Sequence, residues 1–216
     1  MMLTDARLPT GGHTQSSGLE AAVRAGLGSD GADVAEVAAY VRDRLRTVVR
    51  VEAGTAVAAR HLTLTGAEPR SVEPSWAART PSPALRAVSR RQGRALLRLA
   101  GRVWPAVLDH LPGDTEVPRP VVMGVLGAVT GLSAAQVARV VGYDDAQTVV
   151  AAALKLLPVD PVEAASWVAG LHADLEDLVA AVSGVETADD IPADGAPLVD
   201  VLAQQHATQR MRLFHA

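Results

Sequence analysis

Apolar residues recur at intervals of three and four along most of this chain, which is the period of an amphipathic α-helix. In the first long segment with this pattern, Asp33 and Glu36 have the spacing of a capping box and predict the start of a helix that runs to near His61. The apolar positions on its predicted core face are Val34, Val37, Val41, Leu45 and Val48. The proline-rich segment 68–83 then predicts a loop.

A second long helix is predicted from Ala84 towards Leu111. Pro105 should kink it or end its regular part, because proline lacks the backbone N–H that a helix interior requires. Three glycines follow in the apolar stretch 120–131, at Gly124, Gly127 and Gly131. Each glycine costs about 1 kcal/mol relative to alanine within a helix, so this spacing predicts a close helix crossing inside the bundle or at a subunit interface.

Shorter helices are predicted in the second half of the chain. Ser133 and Gln136 have the spacing of a capping box and should begin a helix that Gly142 ends. Asp144 should cap the next helix, which Pro158 ends.

Asp160 followed by Pro161 predicts one more helix, which reaches to near Gly184. Its predicted core face consists of Val168, Leu171, Leu175, Leu178 and Val182. The acidic segment 186–197, rich in proline and glycine, predicts an exposed and mobile loop.

The pattern and the composition together predict an all-α fold. Apolar residues make up 49% of the chain and aromatic residues only 3%, so alanine, valine and leucine must fill the core. We expect one domain, residues 1–216, built as a compact bundle of roughly seven to ten helices. A short N-terminal turn segment (1–16) and a flexible C-terminal tail (207–216) complete the expected organisation.

Composition also excludes several classes of function. The chain has no cysteine, which removes disulfides, thiolate catalysis and cysteine-based metal sites. No leader-like segment and no run of about 20 apolar residues is present, so we expect a soluble, cytoplasmic protein. The net charge of -4 argues against general nucleic-acid binding.

Catalytic and metal-binding sets are missing from the sequence. The six histidines are scattered, without the His-x-x-x-His spacing that chelates a metal from one helix. The paired carboxylates Asp144-Asp145 and Asp189-Asp190 do not continue into a magnesium-binding spacing; we interpret the first pair as a helix cap and the second as part of a solvated loop. We therefore expect no enzymatic activity and no cofactor bound by this chain.

The glycine-rich segment Thr10–Gly18 resembles a phosphate loop only superficially, because the Gly-Lys-Ser/Thr ending is missing. We interpret it as a structural turn made by Pro9, Gly11, Gly12 and Gly18. Its glycines should adopt torsions that other residues forbid, so that Gly12→Val would misfold the entry to the first helix.

Arginines form the clearest charge pattern in the chain. Their positions, four residues apart on one predicted helix, are Arg86, Arg90, Arg94, Arg98 and Arg102, with Arg91 alongside. Three interpretations remain open: a solvated face whose arginines pair with neighbouring acids, a docking surface for an acidic protein, and, third, a nucleic-acid contact.

Both ends of the chain resemble one family. The segment DARLPTGGHTQSSGLEAAVRAG (5–26) resembles the N-terminal signature of the urease accessory protein UreF family, with its Leu-Pro-x-Gly-Gly turn and Gly-Leu-Glu. The closing PLVDVLAQQHATQRMRLFHA (197–216) resembles the C-terminus of the same family, and AALKLLP (152–158) and SRRQGRALL (89–97) resemble segments between them. Lys155 stands where the family usually has arginine, so it keeps the charge but loses the bidentate fork.

The resemblance implies an all-helical, dimer-forming protein without catalysis of its own. It would bridge the UreD (UreH) scaffold and the GTPase UreG, and the assembled complex would use GTP to insert nickel into apo-urease. By this hypothesis the partner-binding residues are Lys155, His206, Arg210, Arg212, Leu213 and Phe214. Two other classes stay open on sequence alone: a helical adaptor or regulator unrelated to nickel, and a metal-dependent helical enzyme.

Overall fold

The computed structural model of this chain describes residues 12–28, 35–113 and 115–214. Within these ranges the chain forms α-helices and short 3-10 turns and no β-strand, which confirms the predicted all-α fold. Ten α-helices fall in the described ranges: α1 (Leu19–Arg24), α2 (Ala35–Arg46), α3 (Val48–Leu64), α4 (Glu73–Ala78), α5 (Pro83–Val103), α6 (Arg119–Val129), α7 (Ala134–Leu156), α8 (Pro161–Ala169), α9 (His172–Val182) and α10 (Pro197–Ala207).

Helix α3 lies at the centre of the bundle, where it contacts α2, α6, α7 and α9. Its buried positions between Val49 and Ala59 are all valine, alanine, glycine or threonine. The distance between packed helices depends on the size of the side chains at their contact, so these small residues let four helices approach α3 closely. One cluster of buried apolar residues extends from Leu19 of α1 to Phe214 near the C-terminus.

The predicted long helix from Asp33 to His61 is two helices. Thr47 (φ -126°, ψ -101°) interrupts it between α2 and α3, and the Thr47 hydroxyl donates a hydrogen bond to the carbonyl of Asp43 at 2.6 Å. Threonine side chains that bond to the backbone in this way bend helices. The Asp33 part of the predicted capping box lies outside the described residues.

The segment 68–83 contains more structure than the predicted loop. Pro69–Val72 forms a 3-10 turn and is followed directly by α4. Trp76 of α4 is fully buried, and its indole N–H donates to Glu52 Oε1 at 2.7 Å. This buried aromatic side chain holds the segment against α3, whereas Pro105 ends the regular part of α5 as predicted.

Gly142 does not end a helix, because α7 continues through it. A Cβ atom at this position would lie 2.6 Å from Leu178 Cδ2 and 2.8 Å from Leu175 Cδ2, so the glycine makes room for α9. Asp144 and Asp145 therefore lie inside α7, and their interpretation as a helix cap is wrong. The predicted helix from Pro161 to Gly184 is also divided, into α8 and α9, and the fully buried Leu171 lies between them.

The glycines of α6 mark a close crossing inside the bundle, one of the two predicted alternatives. A Cβ on Gly124 would overlap the carbonyl oxygen of Ala56 in α3, and a Cβ on Gly127 would overlap Val137 Cγ2 of α7. Both positions therefore admit only glycine at the observed helix separation.

The N-terminal turn is described from Gly12 onward, so Pro9 and Gly11 lie outside the described residues. Gly12 begins a 3-10 turn without a positive φ, and no atom of the described residues lies within 4 Å of the place a Cβ would occupy, so the torsion expected to require glycine there is not found. Gly18 has φ +80°, and a Cβ there would lie 2.8 Å from the hydroxyl of Tyr40. The torsional requirement of this turn thus falls on Gly18.

The predicted helix starts at Ser133 and Asp160 are confirmed. The Ser133 hydroxyl accepts from the backbone N–H of Gln136 at 3.2 Å, and the Gln136 side chain accepts from the Ser133 N–H at 2.8 Å. Asp160 Oδ1 accepts from the Val162 N–H at 2.6 Å.

Ser133→Ala should lower the free energy of unfolding by about 1 kcal/mol, because the cap of the longest helix is lost. For a chain of this size the melting temperature should fall by about 2–4 °C in thermal denaturation. Ser166→Ala is the matched control, since its hydroxyl only donates to the Glu163 carbonyl within α8. Equal melting temperatures for the two variants would contradict the prediction.

Candidate docking site at the C-terminal tail

The segment Gln209–Phe214, here called the tail, is held against α1 by the carboxylate of Glu20. Glu20 Oε1 accepts from the backbone N–H of Leu213 and Oε2 from that of Phe214, each at 2.9 Å. Glu20 is only 2% exposed, although it lies in the first turn of a six-residue helix. One buried side chain thus fixes the two last described residues of the chain.

Two further side chains, those of His206 and Arg24, form hydrogen bonds with the Glu20 carboxylate. His206 Nε2 of α10 lies 3.0 Å from Glu20 Oε2, and Arg24 donates to Glu20 Oε1 at 2.7 Å. Arg24 also donates to the carbonyl of Met211 at 2.8 Å and to Gln209 Oε1 at 2.7 Å. Five hydrogen bonds of Glu20 and Arg24 therefore bind the tail or its neighbour His206.

Electrostatics favour the ionised form of Glu20. Burial by itself raises the pKa of this carboxyl, but the hydrogen bonds from the Leu213 and Phe214 N–H groups and from His206 outweigh it and lower the pKa below its ordinary value. The carboxylate is therefore charged at neutral pH, where its hydrogen bonds to the tail are strongest.

Phe214 anchors the end of the tail in the main apolar cluster, where it is buried. The ammonium group of Lys155, near the end of α7, lies 5.3 Å from the centroid of the Phe214 ring, within the range of a cation–π contact. The tail is thus fixed by a polar anchor at Glu20 and an apolar one at Phe214.

The tail presents exposed side chains in the residues that precede Phe214. Met211 is 83% and Leu213 61% exposed, and Arg210 and Arg212 are exposed beside them. Arginine and methionine are enriched at protein interfaces, and exposed apolar side chains of this size gain from being covered. This surface, defined as Arg210–Leu213, has the chemistry of a docking site.

The structure brings together the sequence-predicted residues Lys155, His206, Leu213 and Phe214 around α1. His206 and Phe214 are covered by the chain itself, so their placement makes them anchors of the tail. Arg210, Arg212 and Leu213 are exposed, and Arg212 donates to the carbonyl of Ala207 at 3.3 Å. A direct contact of any of these residues with a partner stays a prediction. The tail was expected to be flexible, but in this structure hydrogen bonds from Arg24 and to Glu20 hold it against α1.

Sequence reasoning missed Glu20 and Arg24. Glu20 is part of the Gly-Leu-Glu signature, but an acid in a first helical turn looks like an ordinary dipole-stabilising residue. Glu20 is 193 positions from Leu213 and 194 from Phe214, so no local sequence pattern indicates that these residues are in contact.

A cavity of about 120 Å³, lined by apolar and polar side chains, lies between α2, α3, α5 and α7. Arg44 of α2 forms a bidentate ion pair with Asp145 of α7, with its Nε 2.9 Å from Oδ2 and its Nη2 2.6 Å from Oδ1. Arg119 pairs with Asp144 at 2.6 Å. Both carboxylates of the Asp144-Asp145 pair are therefore neutralised by arginine, which makes them poor ligands for a metal ion.

Glu52 contributes a third carboxylate to the cavity wall. Burial raises its pKa, and this effect outweighs the hydrogen bond from Trp76 and the charge of Arg119. Among the described residues, Gln15 Oε1 and Arg79 Nε are buried without a hydrogen-bond partner, and both residues line this cavity. The unsatisfied polar groups in the wall of this cavity are suited to bind ordered water.

Metal-binding clusters and membrane-spanning helices are both absent from the described part of the chain. No group of three or more histidine, aspartate or glutamate side chains there is arranged to hold a metal ion. No described helix is long and apolar enough to cross a membrane.

Fold and site together define an all-α protein whose own C-terminal tail is bound on its first helix. The family model for UreF matches residues 31–172, and relatives match almost the whole chain. The chain is 42% identical over 215 residues to the urease accessory protein UreF of Mycobacterium sp. (strain JLS) and 39% identical over 215 residues to that of Mycolicibacterium vanbaalenii. It is 36% identical over 219 residues to that of Mycobacterium tuberculosis (strain H37Ra).

Each of these alignments covers 99% of this chain and 96% of the relative. This chain belongs to the UreF family. The alignments extend over both ends, which the family model leaves out and on which the resemblance in the sequence depends. The relatives carry the name of an accessory protein and not that of an enzyme.

Proposed function

We propose that this chain is a cytoplasmic accessory protein of urease maturation that acts as a homodimer. It bridges the scaffold UreD (UreH) and the GTPase UreG, and the assembled complex inserts nickel into apo-urease at the expense of GTP. The chain itself performs no catalysis. Nickel is the cargo of the complex, and GTP is bound by UreG.

The observation that carries this proposal is the exposed surface Arg210–Leu213 on an anchored tail. The side chains of Arg210, Met211, Arg212 and Leu213 are exposed. Arg24 holds the start of this segment through Gln209 and the Met211 carbonyl, and Glu20 holds its end through the N–H groups of Leu213 and Phe214. A partner that binds such a preorganised segment loses less conformational entropy than one that must order it. This arrangement suits a protein that joins other proteins.

The role as a bridge agrees with the chemistry of the described residues. Asp144 and Asp145 are paired with arginine. Glu20 is bound by His206 and two backbone N–H groups, and Glu52 accepts from the indole N–H of Trp76. No group of these side chains in the described part of the chain is arranged to hold a metal ion.

The experiment that tests the proposal is the reconstitution of urease from purified components. Apo-urease, UreD, UreG, nickel and GTP are combined with and without this chain, and urea hydrolysis is measured. We expect activation that needs both this chain and GTP. Equal activation in its absence would overturn the proposal.

The tail surface can be tested separately by Met211→Asp combined with Leu213→Asp. Two charges on this apolar surface should weaken co-purification with UreD or UreG by at least about tenfold, because each carboxylate would be buried without a partner. The matched control is Leu64→Asp combined with Val162→Asp, two exposed apolar positions elsewhere. If both pairs of substitutions affect complex formation equally, the tail is not the docking surface.

These point variants are preferable to a deletion of residues 210–216. A deletion would also remove Phe214 from the apolar cluster and the two N–H groups from Glu20, so lost binding could reflect lost stability.

A further inference from the structure

Positive charge is concentrated on one stretch of this otherwise acidic chain. Residues 74–108 contain seven arginines and no lysine, aspartate or glutamate, although the net charge of the whole chain is -4. A solvated helix usually intersperses acids and bases at i, i+4 spacing, and like charges at that spacing repel each other. Acidic groups from elsewhere in the protein, or from a binding partner, must therefore balance the charge of this stretch.

The first arginines of α5 have partners within the protein. Arg86 donates to the carbonyls of Thr80 and Pro81 at 2.6 and 2.8 Å. Arg90 pairs with Glu73 at 3.1 Å and lies over the ring of Trp76. Contacts within the protein therefore account for Arg86 and Arg90, and no external partner is needed to explain them.

The remaining arginines form an exposed row, here called the arginine face: Arg91, Arg94, Arg98 and Arg102. The spacing of three, four and four residues places them on one side of α5, over about 16 Å of helix. Among the described residues, Arg91, Arg98 and Arg102 have no ion pair, and all are exposed. Arg94 forms an ion pair with Glu116, and both side chains are exposed.

Apolar side chains continue the arginine face at its C-terminal end. Val103 is 43% and Leu108 41% exposed. Leu108 lies directly on α5, because a Cβ on Gly101 would be only 3.0 Å from Leu108 Cδ2. The surface thus joins guanidinium groups to an apolar patch, as protein interfaces do.

We propose that the arginine face, together with Val103 and Leu108, docks an acidic protein surface that presents a row of carboxylates beside an apolar side chain. Guanidinium groups bind carboxylates bidentately, so a row of arginines suits a row of carboxylates. Glu116, which pairs with Arg94, shows how a carboxylate of the partner would bind to this face. The site is separate from the tail and goes beyond the proposed bridging function.

Nucleic acid fits the same surface less well. Phosphate binding favours a domain of net positive charge, and single strands need aromatic side chains on which bases stack. The arginine face ends instead in Val103 and Leu108, on a chain of net charge -4.

The test is a titration of the full chain with a fluorescent helical peptide that carries glutamates at i, i+4, i+7 and i+11 and a leucine at one end. We expect binding that weakens with salt, and no binding of the peptide with glutamine in place of glutamate. Arg98→Glu combined with Arg102→Glu should weaken binding at least about tenfold. Arg46→Glu combined with Arg139→Glu changes the net charge by the same amount at exposed positions of α2 and α7. This control should change the affinity for the peptide less than about twofold.

Three results would overturn the proposal: no binding by the unaltered chain, equal losses for the two double variants, or tighter binding of a 20-base-pair DNA duplex than of the peptide. Thermal denaturation of both double variants shows whether the fold is retained. Reconstitution of urease is a separate measurement, so its failure would leave this titration interpretable.

Discussion

Glu20→Ala should lower the free energy of unfolding by about 3 kcal/mol and detach the tail. The substitution leaves the N–H groups of Leu213 and Phe214 and the side chain of His206 without their shared acceptor in the interior. Unsatisfied buried groups of this kind cost about 1–3 kcal/mol, and more when a charged network is broken. Hydrogen exchange of the Leu213 and Phe214 amides should accelerate strongly, and co-purification with UreD or UreG should be lost with it.

Glu163→Ala is the matched control, since Glu163 also lies in the first turn of a helix but is exposed. Its effect on stability should stay within about 0.5 kcal/mol. Glu20→Gln keeps the shape and one acceptor oxygen, so it should fall between the two. Slow amide exchange at Leu213 and Phe214 in Glu20→Ala would show that Glu20 does not hold the tail.

The pH dependence of tail attachment follows from the same carboxylate. Because the folded state lowers the pKa of Glu20, this group stabilises the folded state at pH values above the ordinary glutamate pKa. That contribution is lost as the pH falls through the lowered pKa. Amide exchange at Leu213 and Phe214 should therefore accelerate on acidification in the unaltered chain, and Glu20→Gln should remove this dependence.

Gly124→Ala should destabilise the protein by about 3 kcal/mol and lower its melting temperature by about 6–12 °C. In an unhindered helix the same change would stabilise by up to about 1 kcal/mol, so the sign of the effect is itself informative. The added methyl group would overlap the Ala56 carbonyl oxygen and lie 2.8 Å from Ala59 Cβ, so α3 and α6 would have to separate.

Gly184→Ala provides the comparison, because no atom lies within 4 Å of the place its Cβ would occupy. Thermal and denaturant unfolding of the two variants should differ by several degrees and by more than about 2 kcal/mol. A Gly124→Ala protein as stable as the unaltered chain would contradict the close α3–α6 crossing.

Helix starts were predictable because their signals are local. Ser133 with Gln136, and Asp160 with Pro161, satisfy nearby backbone N–H groups whatever the rest of the chain does. Helix continuity was less predictable. Gly142 has the chemistry of a stop signal, yet the leucines of α9 pack over it and keep it helical, and the buried Trp76 makes a helix of a proline-rich segment.

The same distinction applies to the site. The tail residues were identified from their resemblance to a family and from their combination of charge and apolar area. The carboxylate that holds them, Glu20, was not identified. Glu20 and Phe214 are 194 positions apart in sequence, and no local pattern relates them. Asp144 and Asp145 likewise changed from a supposed cap to two ion pairs lining a cavity once α2, α6 and α7 were in place.

The helical class, the principal helix starts and the family could be inferred from the sequence, because periodicity, capping signals and terminal motifs each depend on a few neighbouring residues. Tertiary structure alone decided which ends meet. The hydrogen bonds of Glu20 bring α1 and the tail into one site, and the ion pair of Arg90 with Glu73 sets it apart from the exposed Arg91, Arg98 and Arg102. Desolvation and hydrogen bonding depend on neighbours distant in sequence, which a local pattern cannot specify.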